Sequence, residues 1–145
     1  MVIIRHKIMK RFLLALVCIF VLSDAVFAIS SYDRYGNKTG SFRQSGSTIT
    51  TYDKYGNKTG SYKHSSNGFN SYDRYGNKTG SYRTRNNVTT QYNRYGSKVG
   101  TYKTNSYGIT TSYDKYGNKT GYYKTDHYGH TTQYDKYGKK IGSFR

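Results

Sequence analysis

The chain has 145 residues, 24 Lys and Arg against 7 Asp and Glu, and a formal net charge of +17; it holds one cysteine, no proline and no tryptophan. Tyrosine is the distinctive residue, with 19 copies, while past position 28 the aliphatic branched residues are only Ile29, Ile49, Val88, Val99, Ile109 and Ile141. This balance excludes a conventional Leu/Ile/Val core, and low aliphatic content with high net charge on its own suggests disorder.

The first element is a leader. "MVIIRHKIMKR" is basic, "FLLALVCIFVL" (Phe12 to Leu22) is an unbroken apolar run, and "SDAVFA" closes with small residues at Val26 and Ala28. That is the order of a secretory signal, with cleavage expected after Ala28. The apolar run is too short for a membrane helix, which needs about 20 residues. Met9 opens an equally complete signal, "MKRFLLALV". Cys18 follows Val17, where a bacterial lipoprotein signal carries Gly, Ala or Ser, so lipidation is not expected. The expected domains are a signal peptide over 1–28 and a single repeat domain over 29–145. The expected destination is the periplasm or the exterior of a bacterial cell. Beyond residue 28 there is no cysteine, so neither a disulfide framework nor a thiolate metal site is available there.

The rest of the chain is periodic. Tyr32, Tyr52, Tyr72, Tyr92, Tyr113 and Tyr134 recur at spacings of 20, 20, 20, 21 and 21 residues, which marks a repeat architecture. Repeats begin near 31, 51, 71, 91, 112 and 133. The pattern Y-[DN]-[KR]-Y-G-x-K-x-G-x-[YF]-[KR] keeps its spacing in all six copies, whereas the connecting stretches ("QSGSTIT", "HSSNGFN", "TRNNVTT", "TNSYGITT", "TDHYGHTT") vary and absorb both insertions. Insertions collect in exposed turns. Each unit therefore has one fixed turn, marked by Gly36, Gly56, Gly76, Gly96, Gly117 and Gly138, and one variable turn.

Gly-Asn and Asn-Gly tolerate the positive φ that two-residue hairpin turns require, and the flanking Thr, Tyr, Ile and Val suit a pleated surface. Two strands of about four to six residues per unit are expected. Centring the first turn on Gly36 and Asn37 pairs Tyr35 with Lys38, Asp33 with Gly40 and Ser31 with Phe42, and cross-strand partners share a face. On this register Tyr35, Phe42 and their copies form an aromatic core, while Tyr32, Arg34, Thr39, Ser41 and Arg43 face the other way.

The pattern "YDKYGNKTGSYK", the Gly-rich second turn, the period near 20 and the leader together resemble the bacterial β-flower proteins, the five-fold β-flower domains. The likeness covers nearly all of the chain past the leader. It implies a compact, pseudo-symmetric ring of antiparallel β-hairpins arranged like petals. Six copies of the pattern against a nominal five-fold ring leave five or six petals. The expected fold class is thus all-β, a pseudo-symmetric hairpin ring preceded by a signal helix.

No Ser/His/Asp, Cys/His or phosphate-loop arrangement is visible, so an enzyme is not expected, nor is a cofactor or metal. Asp33, Asp53, Asp73, Asp114 and Asp135 share one position, which is Asn93 in the fourth unit. Asn keeps the short accepting side chain without the charge, so the position reads as a turn stabiliser. His64, His127 and His130 fall in variable turns and read as solvent-exposed.

The cations carry the functional signal. Residues 29–145 hold 20 basic and 6 acidic side chains, because four of the 24 and one of the 7 lie in the first 28, leaving +14. All but Arg85 and Lys139 occupy three recurring positions. The candidate anion-binding residues are Arg34, Lys54, Arg74, Arg94, Lys115 and Lys136 at one of them, with Arg43, Lys63, Arg83, Lys103, Lys124 and Arg145 at another. Such rows attract anionic partners. The expected function is a non-enzymatic binding module for an anionic envelope surface, lipid headgroups or lipopolysaccharide, through Lys/Arg with Tyr. The competing reading is a secreted structural or adhesive protein that self-associates or binds glycans. Nucleic acid, which basic residues interleaved with Tyr can also follow, is disfavoured for an exported chain.

Overall fold

The computed structural model describes residues 28–145, so the expected signal segment, its helix and its cleavage lie outside the described residues except for Ala28, which opens the first strand. Twelve strands follow: β1 (Ala28–Asp33), β2 (Lys38–Ser45), β3 (Thr48–Asp53), β4 (Lys58–Ser65), β5 (Gly68–Asp73), β6 (Lys78–Arg85), β7 (Val88–Asn93), β8 (Lys98–Thr104), β9 (Ile109–Asp114), β10 (Lys119–Thr125), β11 (Thr131–Asp135) and β12 (Lys140–Phe144). Each pairs antiparallel with its chain neighbours, and β1 pairs with β12 to close a barrel. The fold is the all-β hairpin ring expected, with six petals. The fixed turns all lie at one end and the variable turns at the other, because the chain runs up and down.

The register is six-fold regular. Phe42 faces Thr51, and Thr51 faces Gly60, two residues before the equivalent Tyr62. The same step recurs at Tyr62–Ser71–Gly80, Tyr82–Gln91–Gly100, Tyr102–Ser112–Gly121 and Tyr123–Gln133–Gly142, and across the seam at Phe144–Ser31–Gly40. A two-residue slip per hairpin makes the shear equal to the strand number. As in barrels of eight strands with that equality, inward side chains from alternate strands stack in layers, here six to a layer.

One layer is the aromatic set Phe42, Tyr62, Tyr82, Tyr102, Tyr123 and Phe144, all buried, with Ile49 and the half-buried Ile29 and Phe69 packed beside it. Burying such side chains contributes about 1.5–3 kcal/mol each, which supplies the core that the aliphatic count denied. Next to it lies the polar layer Ser31, Thr51, Ser71, Gln91, Ser112 and Gln133, five of them buried and Gln91 half-buried. Beyond that lies a layer of glycines. A Cβ at Gly40 would stand 2.4 Å from the Tyr52 carbonyl oxygen, and one at Gly80 would stand 2.4 Å from that of Tyr92. These glycines are required by close approach of the neighbouring backbone.

Two expectations of register are corrected. The fixed turn is a three-residue connection: the Asp33 N–H donates to the Asn37 carbonyl, and the Gly36 N–H donates to that of Asp33, with Gly36 at φ +87°. That is the glycine-bulge hairpin loop, which needs positive φ at its third residue. Tyr35 consequently leaves the core and stands at the barrel end, as do Tyr55, Tyr75, Tyr95, Tyr116 and Tyr137, all 73–83% exposed. One step along, Tyr32 pairs with Lys38 but Ser31 with Gly40, so Thr39 is an extra residue. Its hydroxyl turns inward to donate to Ser31 Oγ at 3.0 Å, against the expectation that it faced outward. The two irregularities together shift the register by an even number. Phe42 and Ser31 therefore keep the inward face, and Tyr32, Ser41 and Arg43 the outward one.

Candidate functional site

At the six-turn end each unit builds the same small structure. Asp33 Oδ1 accepts the N–H groups of Tyr35 and Asn37, both at 2.9 Å, and Oδ2 accepts from the Asn37 side-chain amide at 3.1 Å. Asp53, Asp73 and Asp114 repeat the arrangement with Asn57, Asn77 and Asn118. The Asn side-chain hydrogen bond, helped by the backbone N–H donors, holds all four carboxyls below their ordinary value. Asn93 Oδ1 accepts from Tyr95 and Ser97 in the same way. The shared role of this position is to accept hydrogen bonds that shape the loop, with or without charge.

The shaped loop presents a tyrosine and a cation side by side. The guanidinium carbons of Arg34, Arg74 and Arg94 lie 4.5–4.6 Å from the ring centres of Tyr35, Tyr75 and Tyr95, and the ammonium groups of Lys54, Lys115 and Lys136 lie 4.7–4.8 Å from those of Tyr55, Tyr116 and Tyr137. The three arginines also donate to the neighbouring phenol oxygens. Each such pair contributes about 0.5–1 kcal/mol when exposed, enough to order the side chains without removing either from solvent. At the foot of each loop stands a further exposed lysine, Lys38, Lys58, Lys78, Lys98, Lys119 or Lys140. With Lys139, this rim carries thirteen cations against the five aspartates Asp33, Asp53, Asp73, Asp114 and Asp135.

The other predicted row is elsewhere. The expected sharing of one face by Arg34 and Arg43 does not hold, because Arg34 sits in the loop and Arg43 on the outer wall, paired with Ala28 and Thr50 toward the variable-turn end. Five of the six wall cations lie over half-buried tyrosines of the next hairpin: Lys63 over Tyr72 at 5.4 Å, Arg83 over Tyr92 at 5.6 Å, Lys103 over Tyr113 at 5.4 Å, Lys124 over Tyr134 at 5.8 Å and Arg145 over Tyr32 at 4.7 Å. Beside Tyr32 the Arg145 guanidinium also lowers the phenol below its ordinary value by hydrogen bonding. On the β5–β6 side of the barrel, Lys78 and Arg83 converge with Asn70 and Ser81 on a shallow depression.

Two surface tyrosines were not legible as such in the variable stretches. Asn105 Oδ1 accepts from Tyr107 and Ile109, and Asp126 Oδ1 from Tyr128 and His130, reproducing the fixed loop at the opposite end. The signal was [DN]-x-Tyr-Gly in "NSYG" and "DHYG", the same four positions as "DRYG". His127 and His130 are exposed there, with His130 Nδ1 3.5 Å from Asp126 Oδ2. No group of three or more His, Cys, Asp or Glu stands together among the described residues. Comparison with known proteins adds no relative: no family model matches the chain, and neither does any curated protein.

Proposed function

We propose that the protein is an exported, non-enzymatic binding module that attaches to an anionic envelope surface through its repeated Tyr and Lys/Arg side chains. The observation that carries this reading is the six-fold repetition of one loop, each copy held by its own Asx hydrogen bonds and each presenting an exposed tyrosine beside a cation. Side chains serving only solubility need no such common scaffold. A cation near an anionic bilayer contributes about 1 kcal/mol, so six modest contacts made together give useful attachment through multivalency.

Co-sedimentation of residues 29–145 with vesicles tests it. Binding to vesicles containing phosphatidylglycerol, none to phosphatidylcholine alone, and release by raised salt are expected, because exposed charges are screened over about 8 Å at physiological ionic strength. Binding indifferent to lipid charge and salt, or absent, overturns the reading. Concentration-dependent assembly without lipid would instead favour the structural or adhesive role.

A further inference from the structure

We infer that the protein docks end-on, with the six-loop rim against a leaflet of anionic phospholipid and the variable-turn end directed away. This rests on the proposed anionic-surface function and assigns the part of the barrel that performs it. Both cation rows were candidates on charge alone, and the geometry separates them. A flat surface laid against the wall of a closed barrel meets the cations of one or two hairpins, whereas laid on the end it meets all six loops at once. At the rim both members of each pair are exposed, Tyr75 at 73% with Arg74 beside it, whereas the wall cations, exposed themselves, rest over half-buried rings.

The two rows lie close to each other, since Lys119 of the rim and Lys124 of the wall both stand over the Tyr122 ring, at 4.7 and 5.7 Å, so the curvature of the wall against a flat leaflet, and not screening, separates them. Tyrosine is suited to this position, because its ring is apolar and its hydroxyl polar, the combination enriched at membrane interfaces. The barrel rests on the leaflet without crossing it. Its strands of five to eight residues fall short of the 9–11 or so a spanning strand needs, and their outward positions carry Ser, Thr, Lys and Arg around cation-covered tyrosines in place of an apolar band.

The chain has no tryptophan, so a single introduced one reports its own surroundings. Tyr75→Trp at the rim and Tyr107→Trp at the opposite end are each mixed with phosphatidylglycerol vesicles whose acyl chains are brominated, at lipid concentrations that sediment both variants fully. A blue shift and bromine quenching for Tyr75→Trp, with neither for Tyr107→Trp, are expected. Quenching of Tyr107→Trp, or equal behaviour of the two, overturns end-on docking while leaving attachment itself intact; failure of both proteins to sediment overturns attachment and docking together.

A charge pair gives a second readout. The double variant Lys54→Ala, Arg74→Ala is expected to bind about 30-fold more weakly, from about 1 kcal/mol per cation. The wall pair Lys63→Ala, Arg83→Ala is expected to change binding by less than about 3-fold. The reverse order refutes the assignment.

Discussion

At the scale of single residues, the six copies act as an internal set of controls. Where the polar layer carries Ser or Thr, the extra residue of the neighbouring strand is Thr and the two hydroxyls hydrogen-bond, as in Thr51 with Thr59 at 2.7 Å, Thr79 to Ser71 at 3.0 Å and Thr120 to Ser112 at 2.9 Å. Where it carries Gln, the extra residue is Val99 or Ile141, and the amide turns to a core phenol: the Tyr102 hydroxyl donates to Gln91 and the Gln133 amide to Tyr123, both at 3.2 Å. A buried polar group without a partner costs about 1–3 kcal/mol, so the two positions change together. The glycine layer is equally constrained. Gly80→Ala is expected to lower stability by about 1–3 kcal/mol through strain against the Tyr92 carbonyl, with the outward Ser81→Ala within about 0.5 kcal/mol of the parent, both read by urea unfolding.

The loop aspartates are expected to set the acid limit of the fold. Asp33, Asp53, Asp73 and Asp114 are held below the ordinary 3.8, first by the Asn side-chain amide. A group whose folded value is depressed contributes its full stability above the unfolded value and loses it as pH falls through the folded one. Stability is therefore expected to decline below about pH 4. Replacing Asn37, Asn57, Asn77 and Asn118 by Ala should move the acid unfolding midpoint to higher pH, followed by circular dichroism; an unmoved midpoint would mean that the amides do not set it.

At the scale of elements, strands, their approximate number and the division into fixed and variable turns were legible, because residue period and positional tolerance are written directly in a repeat. The turn class was not. "YGNK" offers Gly-Asn as a two-residue turn, but Asp33 captures the amides of Tyr35 and Asn37 and favours the longer loop, a side-chain contribution that pairing arithmetic from Gly-Asn alone omits. The two one-residue insertions have the same cause. At Asn86–Asn87, with φ of 49° and 60°, a two-residue turn joins Arg85 to Val88, whereas the longer connections between Thr104 and Thr110, and between Thr125 and Thr131, are built on the Asx loop. Grafting residues 105–109 in place of residues 85–88 should therefore preserve the barrel, with a thermal midpoint within about 5 °C of the parent, a shift that corresponds to about 1 kcal/mol for a domain of this size. Loss of cooperative unfolding would show that the loops are not interchangeable.

At the scale of the whole molecule, six hairpins with matched slip close the ring so that the seam resembles every other junction: Phe144, Ser31 and Gly40 repeat the relation of Tyr62, Ser71 and Gly80. The resemblance to five-fold rings could not fix the number, because the petal count depends on closure, which local spacing does not encode. Nor could the sequence place its charge. The rows were visible, but whether they shared a face depended on whether Arg34 stood in a strand or a loop, and a single turn residue decides that. With the loops resolved, the barrel has a strongly basic, tyrosine-bearing end, a second cation row folded down on its wall, and a core of aromatic rings.

Tyrosine nitration mapped by mass spectrometry, with and without phosphatidylglycerol vesicles, tests this division of the tyrosines most directly. Free in solution, Tyr35, Tyr55, Tyr75, Tyr95, Tyr116 and Tyr137 should react early together with Tyr107 and Tyr128, while Tyr62, Tyr82, Tyr102 and Tyr123 stay unmodified; vesicles should then shield the first six and leave Tyr107 and Tyr128 reactive. Early nitration of the four inner tyrosines would contradict the barrel, and vesicle protection of Tyr107 and Tyr128 in place of the rim would contradict the orientation.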